Sequence, residues 1–167
     1  MSRAFVKEAD GEQPGDEMPE RPQSPHPNYV TASGLKALQE HLAKLQEERR
    51  HLTEAGEPEM LDKEHLKLVE RDIRYFQERI ERAILIDPES QPPDRVGFGA
   101  IVETVDDNDE KRKYRIVGED EADPSHGTLS HASPLARALF GKKVGDVVPA
   151  GSGEAEIVAI GRSGNRG

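Results

Sequence analysis

The sequence predicts an α+β protein with an N-terminal antiparallel coiled-coil helical hairpin and a C-terminal domain built on a small antiparallel sheet. Two stretches with apolar residues at alternating steps of three and four predict the helices. Several β-branched stretches separated by turn residues predict the sheet. The chain has 167 residues, of which 34 % are hydrophobic and 34 % are charged. This composition favours a small core with a long solvated helical element and excludes one large round core.

The charge balance limits the classes of partner. Lys and Arg number 23 against 33 Asp and Glu, which gives a formal net charge of −10. Free DNA or RNA binds to basic faces, so the chain is not predicted to bind either on its own. The sequence has no apolar run long enough to cross a membrane and no apolar signal core near its start. The absence of cysteine excludes disulfides, thiolate nucleophiles and Cys-ligated zinc, and favours a cytoplasmic protein.

Composition divides the chain into five predicted segments. They are an acidic, proline-rich, disordered tail (1–28), the helical hairpin (29–87), a linker (88–94), the sheet domain (95–161) and a flexible end (162–167). The tail carries too little apolar surface to offset the entropy of ordering it. A short docking motif at Ser2–Glu8 is the alternative interpretation of that tail.

The hairpin is predicted from two complementary apolar seams. Thr31 is the predicted N-cap of the first helix. Gly56 and Pro58 interrupt the pattern at mid-segment, so the chain folds back instead of continuing as one rod. Each arm is roughly 35 Å long, at 1.5 Å per residue. The seams are Leu35, Leu38, Leu42, Leu45 and Leu52, then Leu66, Val69, Ile73, Phe76, Ile80 and Ala83.

The C-terminal segment predicts strands around one short helix. Ser133 is the predicted N-cap of that helix, Pro134 its first residue, and Gly141 its end. Phe98 and Tyr114 are predicted to serve the core. The predicted strands are 98–105 and 113–117, joined by an acidic turn at 106–109, and then 128–131, 144–148 and 155–160.

No arrangement of residues in the sequence is typical of an enzyme. There is no glycine-rich phosphate loop, and no histidine pair has a metal-ligand spacing. His51 and His65 flank the predicted hairpin turn, where solvated structural roles are the favoured interpretation. We therefore predict that the protein is not itself an enzyme.

The hairpin tip is the most distinctive charged cluster. Residues Glu54–Glu64 contain five acids and one base in eleven residues. Carboxylates at the end of a projecting rod can bind a divalent cation as hard oxygen ligands, or they can meet a basic patch. A solvated turn also carries charge, and the residues alone favour that simpler interpretation.

Ordered fragments along the chain resemble the Gre family of bacterial transcription elongation factors, with the closer likeness to its GreB branch. The resemblance covers residues 29–161. The fragments are Tyr29-Val30-Thr31, Gly34-Leu35, Arg71-Asp72-Ile73-Arg74-Tyr75, Ile84–Asp87, Val96–Ala100, Tyr114–Gly118, Ser133–Leu139 and Lys143–Asp146. So many fragments in the same order make the family assignment a strong expectation.

The resemblance implies a fold, a partner and two sets of site residues. In the family, the C-terminal domain is FKBP-like and docks on RNA polymerase at the rim of its secondary channel. Ser133, Pro134 and Arg137 match that docking segment. The coiled coil enters the channel, where acidic tip residues bring a second magnesium ion and a water to the polymerase active site. The tip carboxylates here are Glu54, Glu57, Glu59 and Asp62, of which Glu57, Glu59 and Asp62 are the implied metal ligands.

This sequence departs from the family pattern at the tip and in arm length. The family tip reads Asp-x-x-Glu-Asn-Ala-Asp/Glu-Tyr, whereas Glu54-x-x-Glu57 and Glu59-x-x-Asp62 keep only the carboxylate spacing. Matching both ends of the hairpin leaves each arm one heptad short, a loss of ~10 Å of reach. Ala132 also stands where the family often carries Asp.

These departures favour one of three functions. We predict a monomeric regulator that occupies the polymerase channel, meets nucleic acid only through the elongation complex and contacts no membrane. It binds no cofactor alone, and any magnesium would be shared with RNA polymerase. One alternative is a true transcript cleavage factor whose tip carboxylates deliver that magnesium. The other, from a different class, is an FKBP-like adapter or prolyl isomerase.

Overall fold

The structure, a computed structural model, describes residues 18–54, 56 and 60–162. The chain forms two compact units. One unit contains Gln39–Glu81 and the segment that ends at Gln23, and the other contains Ser24–Leu38 and the chain from Arg82 onward. Predictions for residues 1–17 and 163–167 lie outside the described residues.

The two predicted helices are present. Helix α1 spans Ala32–Glu54 and helix α2 spans Met60–Glu81. Leu45, Val69 and Ile73 form their buried cluster, against which three further seam residues, Leu42, Leu52 and Phe76, pack. The two apolar seams therefore meet as the heptad pattern predicts, and the antiparallel hairpin is confirmed.

Thr31 caps the first helix as predicted. Its Oγ1 accepts a hydrogen bond from the backbone N–H of Gly34 at 3.0 Å. Its carbonyl accepts the first helical bond, from the N–H of Leu35, at 2.9 Å. The hydroxyl thus satisfies one of the donors that every helix start leaves free.

The second unit contains two sheets. A pair of two-residue strands, β1 (Tyr29–Val30) and β2 (Ile84–Leu85), runs parallel. The larger sheet has five strands, which are β3 (Ala100–Asp106), β4 (Lys111–Val117), β5 (Thr128–Ser130), β6 (Val147–Ala150) and β7 (Gly153–Arg162). Their order across the sheet is β5-β4-β3-β7-β6. The fold class is therefore α+β, as predicted.

One strand pair corrects the expectation of an antiparallel sheet. Strands β4 and β5 pair in parallel, with Arg115 opposite Thr128 and Val117 opposite Ser130. The β3–β4, β3–β7 and β6–β7 pairs are antiparallel. The connection over 118–127, which includes a 3-10 turn, returns the chain alongside β4 before β5 begins. Strand β5 therefore runs in the same direction as β4.

The predicted strand over 144–148 is shifted. Strand β6 begins at Val147, because Lys143 and Asp146 close a turn ahead of it. In that turn the Lys143 N–H donates to Asp146 Oδ2 at 2.8 Å, and the Asp146 N–H donates to the Lys143 carbonyl at 3.0 Å. The Asp side chain therefore diverts the chain from the extended conformation that Val144 favours.

The core of the second unit lies between the five-stranded sheet and the short helix α3, Pro134–Leu139. Phe98 belongs to this core and Tyr114 packs against it, both as predicted. The buried members are Val96, Phe98, Ala100, Val102, Ile116, Leu129, Ala136, Leu139, Val148 and Ile157.

Two segments predicted to lack structure make defined contacts. In the predicted linker, Asp87 caps a 3-10 turn at Pro88–Ser90. Arg162 donates to the Glu89 carboxylate at 2.7 Å and to the Gln91 carbonyl at 3.1 Å, which binds the segment to β7. Within the predicted tail, residues 18–28 also make side-chain contacts, such as the Ser24 hydroxyl to Glu119 at 3.0 Å.

Candidate docking surface and hairpin tip

Helix α3 presents the predicted docking residues. The Ser133 hydroxyl accepts a hydrogen bond from the Ala136 N–H at 3.2 Å, so this side chain caps the helix as predicted. Ala136 and Leu139 are fully buried, whereas Pro134 and Arg137 are exposed. The buried pair fixes α3 on the core, and the proline and the guanidinium lie three positions apart on its solvent side.

A cleft of about 270 Å³ lies in the same unit. Its lining is mostly aromatic, and the Tyr29 ring lies 5.0 Å from the His131 ring and 6.0 Å from the Phe98 ring, centroid to centroid. Phe140, the residue that ends α3, is 46 % exposed at its mouth. An aromatic wall with exposed apolar surface is suited to an apolar side chain of a partner. The lining residues are Tyr29, Ile86, Gln91, Phe98, His131 and Phe140.

Glu121 is a positioning residue that sequence reasoning missed. Its carboxylate accepts hydrogen bonds from the Thr31 hydroxyl at 2.6 Å, the Thr31 N–H at 3.1 Å and the Gly118 N–H at 3.3 Å. The side chain thereby ties the β4–β5 connection to the capping residue of α1. Ninety positions separate the two partners, so no local pattern points to the pair.

Two glycines make room for this clamp. A Cβ added to Gly34 would lie 2.1 Å from the Glu121 carboxyl carbon, and one added to Gly118 would lie 2.3 Å from the Tyr29 carbonyl oxygen. Both distances are below the closest approach of real Cβ atoms. Gly118 is the more constrained of the two, because its neighbour is backbone and cannot swing aside.

At the hairpin tip, Glu54 is held by an arginine of its own helix. Arg50 Nη1 donates to Glu54 Oε2 at 2.8 Å, and the same guanidinium bonds the Glu47 carboxylate. The hydrogen bond from Arg50 lowers the pKa of Glu47 below its usual value. The bond to Glu47, and then that to Glu54, raises the pKa of Arg50. The Glu54 carboxylate is therefore already paired with Arg50 of its own helix.

The remaining tip carboxylates are not assembled into a metal site by the described residues. Asp62 is exposed in the first turn of α2, and Glu57 and Glu59 lie outside the described residues. Across 18–54, 56 and 60–162, no three His, Cys, Asp or Glu side chains are grouped as metal ligands. The described residues therefore form no group of metal ligands of their own.

The histidines near the tip form carboxylate pairs. His65 Nε2 lies 2.6 Å from Glu48 Oε2 on the facing helix, and His51 Nε2 lies 3.1 Å from Glu47 Oε2. The two histidines thus pair with different carboxylates.

Over the described residues, none of the helices combines the length and the apolar character that spanning a membrane requires.

The C-terminal unit matches a known family. The profile described as "Transcription elongation factor, GreA/GreB, C-term" matches residues 91–162. Transcription elongation factor GreA of Desulfovibrio desulfuricans is 34 % identical over 154 residues, which cover 82 % of this chain and 95 % of that one. Transcription elongation factor GreB of Yersinia pestis is 35 % identical over 134 residues, covering 72 % and 78 %. GreA and GreB relatives thus match at similar identity.

Two further matches are shorter or more distant. GreA of Nautilia profundicola is 47 % identical over 87 residues, and this chain spans only 54 % of that relative's length. Among solved structures, the GreA factor homolog 1 (Gfh1) protein of Thermus thermophilus is 24 % identical. That match covers 81 % of this chain and 99 % of the Gfh1 chain, with a TM-score of 0.38.

Proposed function

This chain belongs to the GreA/GreB family of transcription elongation factors, and from that premise we propose that it regulates bacterial RNA polymerase from the secondary channel. Factors of this family modulate the polymerase and are not independent enzymes. In this proposal the C-terminal unit docks at the channel rim, and the helical hairpin occupies the channel. The chain acts as a monomer and brings no cofactor of its own.

The exposed face of α3 is the observation that carries the proposal. Pro134 and Arg137 face solvent on a helix whose opposite side is fully buried. A proline held by the helix loses little side-chain entropy on binding. Arginine is enriched at interface hot spots and offers a planar fork of hydrogen-bond donors. Ser133 supports the surface indirectly, because its hydroxyl is used by the helix cap.

The tip supports channel occupancy better than metal delivery. Glu54 Oε2 already accepts a charge-assisted hydrogen bond from Arg50, which makes this carboxylate a weaker ligand for a magnesium ion. Glu57, Glu59 and Asp62 remain the proposed acidic contacts inside the channel. The net charge of −10 favours steering towards the basic lining of an enzyme that binds nucleic acid.

Binding to cognate RNA polymerase tests the docking assignment. The double variant Pro134→Ala, Arg137→Ala removes the exposed contacts and leaves the Ser133 cap and the buried side of α3 intact. We expect its Kd for the polymerase to rise by more than about tenfold, as loss of a hot-spot pair does. Arg112→Ala, an exposed arginine on β4, is the matched control and should bind as wild type does. An unchanged Kd in the double variant would remove α3 from the docking surface.

A second candidate rests on the aromatic cleft. Tyr29, Phe98, His131 and Phe140 give the C-terminal unit the aromatic wall that an FKBP-like adapter or prolyl isomerase needs. This candidate predicts that the full chain accelerates cis–trans isomerisation of a proline peptide and that Phe140→Ala abolishes the acceleration. Polymerase binding without isomerisation would leave regulation of transcription as the function.

A further inference from the structure

Residues 20–23 lie along helix α2 in the first compact unit. The Arg21 guanidinium carbon is 4.0 Å from the centre of the Tyr75 ring, a cation–π distance. Arg21 Nη1 also donates to the Asp72 carboxylate at 3.3 Å. Asp72 and Tyr75 are three positions apart on α2, so one arginine engages a single face of the helix.

Contacts on both sides of Arg21 continue along the same helix. The Arg74 guanidinium donates to the Glu20 carboxylate at 3.0 Å. On the other side, the Gln23 side-chain amide donates to the Tyr75 carbonyl at 3.2 Å. Glu20, Arg21 and Gln23 therefore all bind α2 through their side chains. Their partners on α2 are charged side chains, an aromatic ring and a backbone carbonyl.

The ring beneath Arg21 leads into the buried cluster of the hairpin. Tyr75 meets Phe76 edge to face with 5.0 Å between ring centres. Phe76 in turn packs against the cluster of Leu45, Val69 and Ile73. Arg21 thus covers an aromatic pair that extends this cluster of three buried residues to the surface of α2.

We propose that residues 20–23 are a detachable strap, anchored by Arg21, that clamps the outer face of α2 and supplies part of the hairpin's stability. The strap acts as a third element on a two-helix unit. When it is attached, it shields Tyr75 and occupies the side chains of Asp72 and Arg74. When it is released, α2 loses that support and the Tyr75 ring becomes more exposed.

The nature of the contacts makes the strap detachable. The Arg21 side chain is 37 % exposed, and the Arg74 and Glu20 side chains are 52 % and 60 % exposed. Ion pairs this exposed are weak individually and are screened by salt, whose Debye length falls from about 10 Å at 0.1 M to about 3 Å at 1 M. The stacking of Arg21 on Tyr75 is less sensitive to salt, because a guanidinium also packs on the ring face.

Amide hydrogen exchange in the full chain, read residue by residue by NMR, tests the strap. In Arg21→Ala we expect the amides of residues 72–80 to exchange roughly three- to tenfold faster, because local opening of α2 becomes easier. Amides of strand β3 should keep their rates and serve as the internal reference. Arg112→Ala, which removes an equal charge from the sheet unit, should leave α2 exchange unchanged.

Two further measurements distinguish the strap from a general effect of charge. Arg21→Lys keeps the charge but loses the planar stack, so its exchange rates should fall between those of wild type and Arg21→Ala. In wild type the Arg21 side-chain protons should show nuclear Overhauser contacts to the Tyr75 ring. Exchange of the amides of residues 72–80 should quicken when salt is raised to 1 M, because the flanking ion pairs are screened. Wild-type exchange rates in Arg21→Ala, or absence of the Arg21–Tyr75 contacts, would overturn the proposal.

Discussion

The two units differ in how they bury apolar surface. The sheet unit has ten buried residues in one cluster, drawn from strands, a helix and loops far apart in sequence. The described part of the hairpin has a cluster of three buried residues, all from its two helices, with partly buried side chains around them. The sheet unit therefore holds α3 rigidly on a dense core, whereas the hairpin is an amphipathic rod with a thin core.

Under the proposed function, this difference suits the two units to different tasks. A docking surface needs side chains fixed by dense packing, and α3 obtains this from Ala136 and Leu139. A rod that enters a channel needs reach and a charged surface more than a deep core. Its stability then depends on contacts at its surface, such as the pairing of Glu48 with His65.

The largest expected effect is at Leu139, which is fully buried beneath α3. Leu139→Ala should lower the free energy of opening of the sheet unit by about 3–4 kcal/mol, because a densely packed site cannot collapse around the lost methyl groups. Amide exchange of β3 and β4 measures this loss. A loss no larger than that of an exposed substitution such as Val158→Ala would contradict the dense packing of this unit.

A smaller loss is expected in the hairpin. Ile73 is 2 % exposed, yet its cluster is thin and is bordered by partly buried residues that can move inward. Ile73→Ala should lower the free energy of opening of the helices by about 2 kcal/mol, the lower end for such substitutions. Exchange of the α1 and α2 amides provides the measurement. If this loss exceeded that of Leu139→Ala, the contrast between the two cores would be wrong.

The clamp on Thr31 should contribute less than either core. Glu121→Ala leaves the Thr31 and Gly118 N–H groups without their acceptor, at an expected cost of about 1–2 kcal/mol. The loss should appear in the exchange of the amides that start α1. Glu103→Ala, at an exposed position of β3, is the control and should leave those amides unchanged. Equal exchange in the two variants would show that the clamp is dispensable.

The smallest effect is a pH response in the β4–β5 connection. Hydrogen bonds from Ser125, and then from His126, lower the pKa of Asp123 below its usual value. Because the folded pKa is depressed, this contribution is present above the unfolded pKa of about 4 and is lost as pH falls through the folded pKa. An NMR titration of the Asp123 carboxyl should give a lowered pKa, and Ser125→Ala should move it back towards the usual value. A pKa for Asp123 at or above about 4 in wild type would show that these hydrogen bonds do not stabilise its carboxylate.

Local signals predicted most of the fold. The seams of α1 and α2, the Thr31 and Ser133 caps and the acidic turn before β4 follow from residue spacing and side-chain chemistry within a few positions. Strands β1 and β2 were missed, since two residues have no periodicity. The parallel pairing of β5 was missed because it depends on the path of a ten-residue connection.

The candidate site divides in the same way. Pro134 and Arg137 lie three positions apart on one short helix, which the Ser133 cap predicts, and their docking role stays a prediction from the resemblance. The cleft instead joins Tyr29 to His131, and the clamp joins Thr31 to Glu121, across about a hundred positions each. Such pairs exist only after the sheet unit has folded, and no motif marks them beforehand. Glu57 and Glu59 remain predictions from charge alone.

Transcript cleavage in a backtracked elongation complex, with cognate RNA polymerase, tests the central claim most directly. The assay compares wild type with the variant Glu57→Ala, Glu59→Ala, Asp62→Ala and adds competition against an authentic cleavage factor. A channel-occupying regulator should stimulate no cleavage and should inhibit cleavage by the competitor. Cleavage stimulated by wild type and lost in the triple variant would instead establish metal delivery by the tip. If the protein neither stimulates cleavage nor competes with the cleavage factor, that result would contradict docking on the polymerase.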